Sequence, residues 1–341
     1  MASVSLAGAD LQLAASGCTG QEFALFHGPN IGDITGIDHG CPETIAALRQ
    51  AIQNGSHPVT SQGFYLLSEI APFIGPNHSK LPCFLKAVAN TEFSSATLVI
   101  DQDCLLSEPL IVPSRFTLAG TGIDGQGRLR FSGLGDGVAA IRFDKNATNI
   151  TIRDLSVGVL GSTHNIGIDV SRANKVYLRD LQVSDCFVGI YGSRPDTSAI
   201  SVYIDRCNVF NNFYNIAIHR NGFHWRIRDC ILNGAKCWGF RIFGSQDDPA
   251  PKPDTPGWGN DHLISGCRFE GCGHGGALLG SDSAMLMNNR FEQNGGVGGV
   301  GIRILPTATR TRLLSNILAS NTMVISPQAK DTLRWGNLVG G

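Results

Sequence analysis

Short stretches in which apolar and polar residues alternate run through most of the chain, and this pattern predicts β-strands. From residue 150 onward one motif recurs: an apolar residue, two variable positions, Leu, Cys or Asn, one variable position and a second apolar residue. Its copies read "ITIRDLSV", "VYLRDLQV", "VYIDRCNV", "WRIRDCIL", "LISGCRF", "LMNNRF", "LLSNIL" and "GNLV". They share one position, which is occupied in turn by Leu155, Leu181, Cys207, Cys230, Cys267, Asn289, Asn316 and Asn337.

The spacing of this shared position sets the architecture. Successive copies lie 26, 26, 23, 37, 22, 27 and 21 residues apart, and a Pro/Gly-rich insertion accounts for the longest interval. These periods are too short for a βαβ unit, which needs about 30 residues or more, and strands bounded by Gly and Asn argue against helical repeats. A second strand follows in each period, as in "GIDV", "NIAI" and "GIRI". The sequence therefore predicts a right-handed parallel β-helix of about 8–10 coils, stacked about 4.8 Å apart.

The shared position is expected to point inward, with leucines and cysteines filling the core and the three asparagines forming a hydrogen-bonded ladder at a turn. Residues 1–95 have a different pattern. "PETIAALRQAIQNG", "FYLLSEIAPFI" and "LPCFLKAVAN" carry apolar residues at helical spacing. Because a solenoid needs its open end covered, we predict an N-terminal, partly helical capping region over 1–95 and the β-helix over 96–341.

The stacked coils and the segment "PLIVPSRFTLAGTG" resemble the pectin-lyase-like superfamily of right-handed β-helices, over roughly residues 96–341. The resemblance implies a right-handed β-helix fold but does not by itself indicate which activity the protein has. That superfamily includes lyases, hydrolases, epimerases, esterases and phage tail depolymerases, so the function must be argued from the site.

The second strand of each coil carries one outward residue in the middle of an in-out-in pattern. Three arginines, an aspartate and a tyrosine on one sheet face predict a substrate groove, and in the superfamily resembled here this sheet commonly carries the substrate. The outward positions are Arg142, Asp169, Tyr191, Ala217, Arg241, Leu278 or Ala277, Arg303 and Val324.

His274 lies between glycines in "GCGHGG" and resembles the histidine element of polygalacturonases, a family within that superfamily, while Arg303 in "GIRIL" resembles their arginine element. The acidic elements are missing. Lys236, Cys237 and Trp238 stand where one pair of aspartates is expected, and on the preceding coil only the asparagine of the family's element, Asn212, is matched. Inverting hydrolysis needs two carboxyl groups about 6.5–9.5 Å apart, so a polygalacturonase-like hydrolase is an alternative rather than the main prediction.

The cationic and aromatic residues near His274 suit proton abstraction from a uronate sugar by a lyase or an epimerase. In this hypothesis Arg241 and Arg303 bind the substrate carboxylate, Lys236 or His274 is the base and Tyr214 is the acid. The further substrate-binding candidates are Arg142, Asp169, Tyr191, His219, Trp258, Asp247 and Asp248.

The long insertion "GSQDDPAPKPDTPGWGND" follows one arginine-bearing strand directly and is expected at one wall of the groove. Trp258 could stack on a sugar ring. Asp247, Asp248 and Asp254 are candidate Ca²⁺ ligands because carboxylate oxygens suit that ion. No cofactor is required by the sequence, and Ca²⁺ is the one candidate ion.

The composition of the chain indicates which classes of binding partner to expect. A formal net charge of -1 gives no general attraction to nucleic acid or anionic membranes, and no apolar run is long enough to cross a membrane. The expected partner is a polysaccharide or oligosaccharide. Flat β-helix sides also suit a homotrimer or other oligomer, although no heptad repeat supports one.

The ten cysteines form no CxxC pair and no metal-ligand spacing, which favours buried thiols and a reducing cytoplasm. An exported protein from which the signal has been removed would have the same composition. Two further functions stay open beside the lyase or epimerase: a non-catalytic glycan-binding or structural β-helix, and an intracellular enzyme acting on a small metabolite.

Overall fold

The computed structural model describes residues 64–74, 78–82, 84–85, 95–122, 127–161, 164–192, 198–218, 222–242, 260–296 and 299–340. From residue 95 onward these residues form three parallel sheets, A, B and C, which the chain visits in that order once per coil. Ten strands of sheet B mark ten coils. The predicted right-handed parallel β-helix is confirmed, with the hand that parallel crossover connections adopt.

Sheet A contains the three longest described strands, each of 7 residues. In stacking order it consists of β1 (Phe64–Leu66), β2 (Ala96–Ile100), β5 (Phe116–Gly120), β8 (Ala147–Arg153), β11 (Ala173–Arg179), β14 (Ala199–Asp205), β18 (Arg226–Arg228), β21 (Leu263–Ser265), β24 (Met285–Met287), β27 (Arg312–Leu314) and β30 (Leu333–Trp335), while β17 (Gly222–Phe223) pairs with β14. Strand β1 lies within the predicted cap and pairs in parallel with β2. The boundary at residue 95 stays a prediction.

Sheets B and C complete each coil. Sheet B stacks β3 (Cys104–Leu106), β6 (Arg128–Ser132), β9 (Ser156–Leu160), β12 (Gln182–Ser184), β15 (Asn208–Phe210), β19 (Ile231–Asn233), β22 (Arg268–Glu270), β25 (Arg290–Glu292), β28 (Ile317–Ala319) and β31 (Leu338–Gly340). Sheet C stacks β4 (Leu110–Val112), β7 (Ala139–Phe143), β10 (Ile166–Asp169), β13 (Val188–Gly192), β16 (Tyr214–Ile218), β20 (Trp238–Ile242), β23 (Gly275–Leu279), β26 (Val300–Ile304) and β29 (Thr322–Ile325).

An α-helix, Leu67–Ile74, lies in the described part of the predicted cap. Its buried residues Leu67, Ile70 and Ile74 lie on one face of the helix at the spacing of an amphipathic stripe. None of the helices in the described ranges is long and apolar enough to cross a membrane.

The shared position of the repeat lies at the corner between sheets A and B and points inward as predicted. Leu155, Leu181 and Cys230 are at most 1% exposed. The asparagine ladder is confirmed: Asn289 Nδ2 donates to Asn316 Oδ1 at 3.0 Å, and Asn316 Nδ2 donates to Asn337 Oδ1 at 2.9 Å. The ladder satisfies amide groups that would otherwise be buried without partners.

The residue before each shared position has a positive φ, which turns the chain sharply from sheet A to sheet B. Asp154, Asp180 and Asp229 have φ values of 56°, 50° and 53°. Asp, Asn and Gly tolerate this left-handed conformation better than other residues. The local requirement explains why Asp, Gly or Asn often stands directly before the buried residue, as in "RDL", "SGC" and "MNN".

A second asparagine ladder, which the sequence analysis did not predict, lies at the corner between sheets B and C. Asn294 Nδ2 donates to Asn321 Oδ1 at 2.8 Å, and Asn212 Oδ1 accepts from the Cys186 backbone at 2.9 Å. Asn212 and Asn294 are fully buried. Asn212, the one match to the asparagine element of polygalacturonases, is therefore a structural residue that points away from the groove side.

Candidate functional site

The outward column predicted for the second strand lies on sheet C. The register pairs Arg142 with Asp169, Asp169 with Tyr191, Tyr191 with Ala217, Ala217 with Arg241, Arg241 with Leu278, Leu278 with Arg303 and Arg303 with Val324. Leu278, and not Ala277, occupies the ambiguous place. Ala277 belongs to the buried core inside the solenoid.

A column of small residues breaks the simple alternation just before this outward column. Gly167, Gly239 and Gly276 face inward immediately before a second inward residue, because a Cβ added at each would overlap core atoms. At Gly276 those atoms belong to the Phe291 ring and to the Gly301 backbone. In each such strand two successive residues, the small residue and the one after it, face inward. The residue before this pair, at the start of the strand, therefore faces outward, as does the residue after the pair. This second outward column comprises Val188, Tyr214, Trp238, Gly275, Val300 and Thr322.

Tyr214 and Arg241 contact each other across neighbouring coils. Arg241 Nη1 donates to the Tyr214 hydroxyl at 2.9 Å, and the Arg241 guanidinium carbon lies 5.3 Å from the Tyr214 ring centre. Tyr214 is fully buried and also packs edge-on against the Phe187 and Phe213 rings. The contact orients the Arg241 guanidinium through a cation–π interaction and a hydrogen bond.

Trp238 lies at the centre of the C-terminal half of this face. The Arg303 guanidinium carbon lies 5.9 Å from the Trp238 ring centre. A Cβ on Gly275 would overlap the Trp238 ring, so only glycine lets the ring lie flat across the next coil. The second glycine of "GHG" therefore leaves space for the ring of Trp238. In the comparison with polygalacturonases, Trp238 stands in the place of an expected aspartate.

His274 lies at the exposed end of the corner that leads into β23. Its Nδ1 is 3.1 Å from Cys237 Sγ on the preceding coil, and its backbone N–H donates to the Cys237 carbonyl at 2.9 Å. A Cβ on Gly273 would overlap the Lys236 carbonyl, so the first glycine of "GHG" allows this close approach. Lys236 and His274 are both exposed.

Burial divides the face into two parts. Asp169, Tyr191, Tyr214, Arg241 and Leu278 are each at most 9% exposed, although they point out of the solenoid. Lys236 and His274 are exposed and Arg303 is partly exposed. A ligand can therefore reach Lys236, His274 and Arg303 more readily than it can reach the Tyr214 hydroxyl.

Lys236 and Arg303 carry positive charge, and the described part of the chain supplies neither of them with a counter-ion. Among the described residues, no carboxylate lies within 4.0 Å of a side-chain nitrogen of Lys236, His274 or Arg303. Arg303 Nε is buried and has no hydrogen-bond partner there. We call Lys236, His274, Arg303 and the adjacent Trp238 the cationic patch. Positive charge without a protein counter-ion attracts an anionic ligand.

The predicted binding residues at the other end of the column lie far from this patch. Arg142 is six coils from Arg303 along the register, which corresponds to about 30 Å. Asp169 accepts a hydrogen bond from the Ser171 backbone at 2.9 Å and is 6% exposed. The structure thus brings Lys236, His274, Arg241, Arg303 and Tyr214 together on four adjacent coils and leaves Arg142, Asp169 and Tyr191 elsewhere on the same face.

The candidates His219, Trp258, Asp247, Asp248 and Asp254 lie outside the described residues. Within the ranges that the structure describes, no group of three or more His, Cys, Asp or Glu side chains could hold a metal ion.

An aromatic row that the sequence analysis missed adjoins the patch. The Phe187 and Phe213 rings stack at a centroid distance of 4.9 Å and an interplanar angle of 15°. His164 contacts Phe187 at 5.8 Å. The signal was present in the sequence, because an aromatic residue follows the buried Cys or Asn of this corner in "CFVGIYG" and "NFYNIAI".

No protein-family model matches the sequence, and a search of curated proteins returns no match. Solved structures do match. The Dettilon tailspike protein has a TM-score of 0.53 and 12% identity, with 86% of this chain and 71% of that chain covered. The N-terminal fragment of bacteriophage phi29 gene product 12 has a TM-score of 0.52 and 13% identity, with coverage of 86% and 60%.

The enzymatically active domain of bacteriophage CBA120 tailspike protein 2 has a TM-score of 0.52 and 11% identity, with 80% of this chain and 47% of that chain covered. The chain therefore spans less than two thirds of the length of the phi29 and CBA120 proteins. At such identities the likeness shows the fold alone. This chain has the fold of a right-handed parallel β-helix.

Proposed function

We propose that this chain is a carbohydrate-active β-helix that binds an acidic glycan on the outward face of sheet C and acts on its uronate residues by proton abstraction. The observation that carries the proposal is the cationic patch, where Lys236, His274 and Arg303 are accessible and have no described counter-ion. The glycan class is supported by the likeness to phage tailspike proteins, one of them represented by its enzymatically active domain.

The patch offers what a sugar carboxylate needs. Arg303 and Lys236 lie on either side of the His274 coil, so one carboxylate between them would be neutralised from two directions. The Trp238 ring supplies an apolar surface beside them. Arg241 lies on the same coil as Trp238, and Tyr214 contributes by holding the Arg241 guanidinium.

Neutralising the carboxylate lowers the cost of removing the proton on the adjacent ring carbon. The base, Lys236 or His274, takes this proton. In a lyase, the electron pair forms a carbon–carbon double bond while the bond to the glycosidic oxygen breaks, and the protonated base returns its proton to that oxygen. In an epimerase, a proton from a solvent molecule on the opposite face returns to the same carbon, and the base releases the proton that it took to solvent.

A polygalacturonase-like hydrolase is less well supported. Asp169 is the one carboxylate in the two outward columns over the described strands of sheet C, and it lies several coils from His274. Hydrolysis with inversion needs two carboxyl groups about 6.5–9.5 Å apart.

A non-catalytic, glycan-binding or structural β-helix is the second candidate. The observation that favours it is the burial of Tyr191, Tyr214 and Arg241, which leaves a small accessible surface on a face that would otherwise form a long groove. The two candidates differ in whether a bound acidic glycan is chemically changed.

The test incubates the protein with polygalacturonate, alginate and hyaluronan, with and without Ca²⁺, and follows the ultraviolet absorbance of the unsaturated uronate. Solvent deuterium incorporation, measured by mass spectrometry, detects epimerisation. We expect one substrate to react, and Arg303→Ala to lower the rate at least about a hundredfold through loss of carboxylate binding.

The matched control is Arg290→Ala, which removes an arginine from sheet B that is paired with Glu292. Its rate should equal that of the unaltered protein. Binding of an acidic glycan without either signal would favour the non-catalytic candidate, and absence of both binding and reaction would overturn the proposal.

A further inference from the structure

Cys237 and His274 form a close pair that the proposed reaction does not by itself require. Cys237 Sγ lies 3.1 Å from His274 Nδ1, within hydrogen-bond reach for sulfur. Cys237 is fully buried, whereas His274 is exposed. The backbone bond from His274 N–H to the Cys237 carbonyl fixes the two residues at a second point. The thiol therefore holds one edge of the imidazole and leaves Nε2 as the ring nitrogen available to a ligand.

The two partners differ in what they do well as hydrogen-bonding groups. A thiol carries one proton to donate, and its sulfur is a weak acceptor, whereas an unprotonated imidazole nitrogen is a good acceptor. The favourable arrangement is S–H donating to Nδ1. Because a neutral imidazole carries one proton, that proton must then reside on Nε2.

We infer that Cys237 is a positioning residue that fixes His274 in the Nε2–H tautomer, so that His274 presents a hydrogen-bond donor to the glycan. The consequence for the reaction rests on the proposed function. His274 then joins Arg303 in binding the uronate carboxylate, and Lys236, the other candidate base, takes the proton. The statement about the tautomer itself needs no ligand.

The experiment is a ¹⁵N correlation spectrum of the full chain with histidine labelled in the ring, recorded near neutral pH. His274→Asn identifies the His274 signals by their loss. We expect the unaltered protein to show Nε2–H at His274. Cys237→Ser, in which a hydroxyl can still donate to Nδ1, should keep that pattern. Cys237→Val and the smaller Cys237→Ala should shift the signals toward a mixture of tautomers.

An Nδ1–H tautomer in the unaltered protein, or unchanged His274 signals in both Cys237→Val and Cys237→Ala, would overturn the inference. Two apolar variants are used so that misfolding of one does not remove the test. A second readout is calorimetric binding of an oligogalacturonate, which Cys237→Ala should weaken about tenfold and Cys237→Ser less than twofold. If the spectra agree and no acidic glycan binds, the proposed function fails while the assignment of the tautomer stands.

Discussion

Ion pairs on sheets A and B contrast with the two cations of the cationic patch, Lys236 and Arg303. Arg228 Nε lies 2.9 Å from Asp205 Oδ1 on sheet A, and Arg290 Nε lies 2.9 Å from Glu292 Oε2 on sheet B. At the corner before sheet A, the Arg226 guanidinium holds the pKa of Asp261 below its ordinary value. Lys236 and Arg303, in the cationic patch, have no such carboxylate among the described residues. Under the proposed function, these two cations would bind the carboxylate of an external glycan.

Among the variants considered, charge reversal at Arg303 should have the largest effect on the affinity for acidic oligosaccharides. Arg303→Glu replaces attraction for a uronate carboxylate by repulsion, and we expect the affinity for acidic oligosaccharides to fall about a hundredfold. Isothermal titration calorimetry at low salt measures it. Arg290→Glu makes the same change of net charge on sheet B and should alter the affinity less than about twofold. Equal losses in both variants would mean that net charge, and not the patch, governs binding.

The second test concerns a histidine that is buried inside the solenoid, away from the outward face of sheet C. His262 lies inside the solenoid, and neither ring nitrogen has a hydrogen-bond partner in the described ranges. Burial, reinforced by the positive charge of Arg226, lowers the pKa of His262 to about 3. The unfolded chain therefore binds this proton first as the pH falls below about 6.5, and the folded state loses stability down to the folded pKa.

The free energy of unfolding should accordingly fall by on the order of 1 kcal/mol per pH unit from pH 6.5 downward, relative to His262→Leu. Urea denaturation at a series of pH values measures the difference. Parallel curves for the two proteins would show that His262 finds a partner that stabilises its charged form.

Glycine substitutions separate the outward face from the core. Gly275→Ala should tilt the Trp238 ring, which it would overlap, and weaken acidic glycan binding about tenfold with little loss of stability. Gly276→Ala is directed inward at the Phe291 ring and should destabilise the fold by about 2 kcal/mol. Tryptophan fluorescence and urea denaturation distinguish the two. If Gly275→Ala destabilised the fold and Gly276→Ala weakened glycan binding instead, Gly275 would face the core and Gly276 would face outward.

The smallest effect is expected where an arginine is paired on the surface. Arg290→Ala should change the free energy of unfolding by less than about 1 kcal/mol, since exposed ion pairs contribute little. The same measurement on Arg303→Ala should show no loss beyond that. A large destabilisation by Arg303→Ala alone would indicate that Arg303 supports the fold through Trp238 and would weaken its assignment to ligand binding.

The repeat allowed the coil architecture to be predicted because one buried position per coil must face the same core. Leu155, Cys230 and Asn316 occupy the same corner between sheets A and B on different coils. The spacing of the repeat alone was enough to align these three positions. The outward column from Arg142 to Val324 followed from alternation for the same reason.

The composition of the site was harder to predict. The inward glycines, as at Gly239, shift the alternation by one residue, so Trp238 and Tyr214 face outward against the simple pattern. The contact between Cys237 and His274 joins residues 37 positions apart along the chain, and only the coil register places them together. Burial of Tyr214 depends on rings from neighbouring coils, which local sequence does not specify.

The asparagine ladder at the corner between sheets A and B has an evolutionary consequence. Since Asn289, Asn316 and Asn337 make the same bonds on successive coils, these three coils offer one another an identical joint. Whole coils can then be duplicated or deleted without a new junction having to be invented. Such events would move the cations along the axis in steps of about 4.8 Å, the height of one coil. Duplication of a coil would therefore lengthen the outward face of sheet C by one coil height, without a change in the sequence of the existing coils.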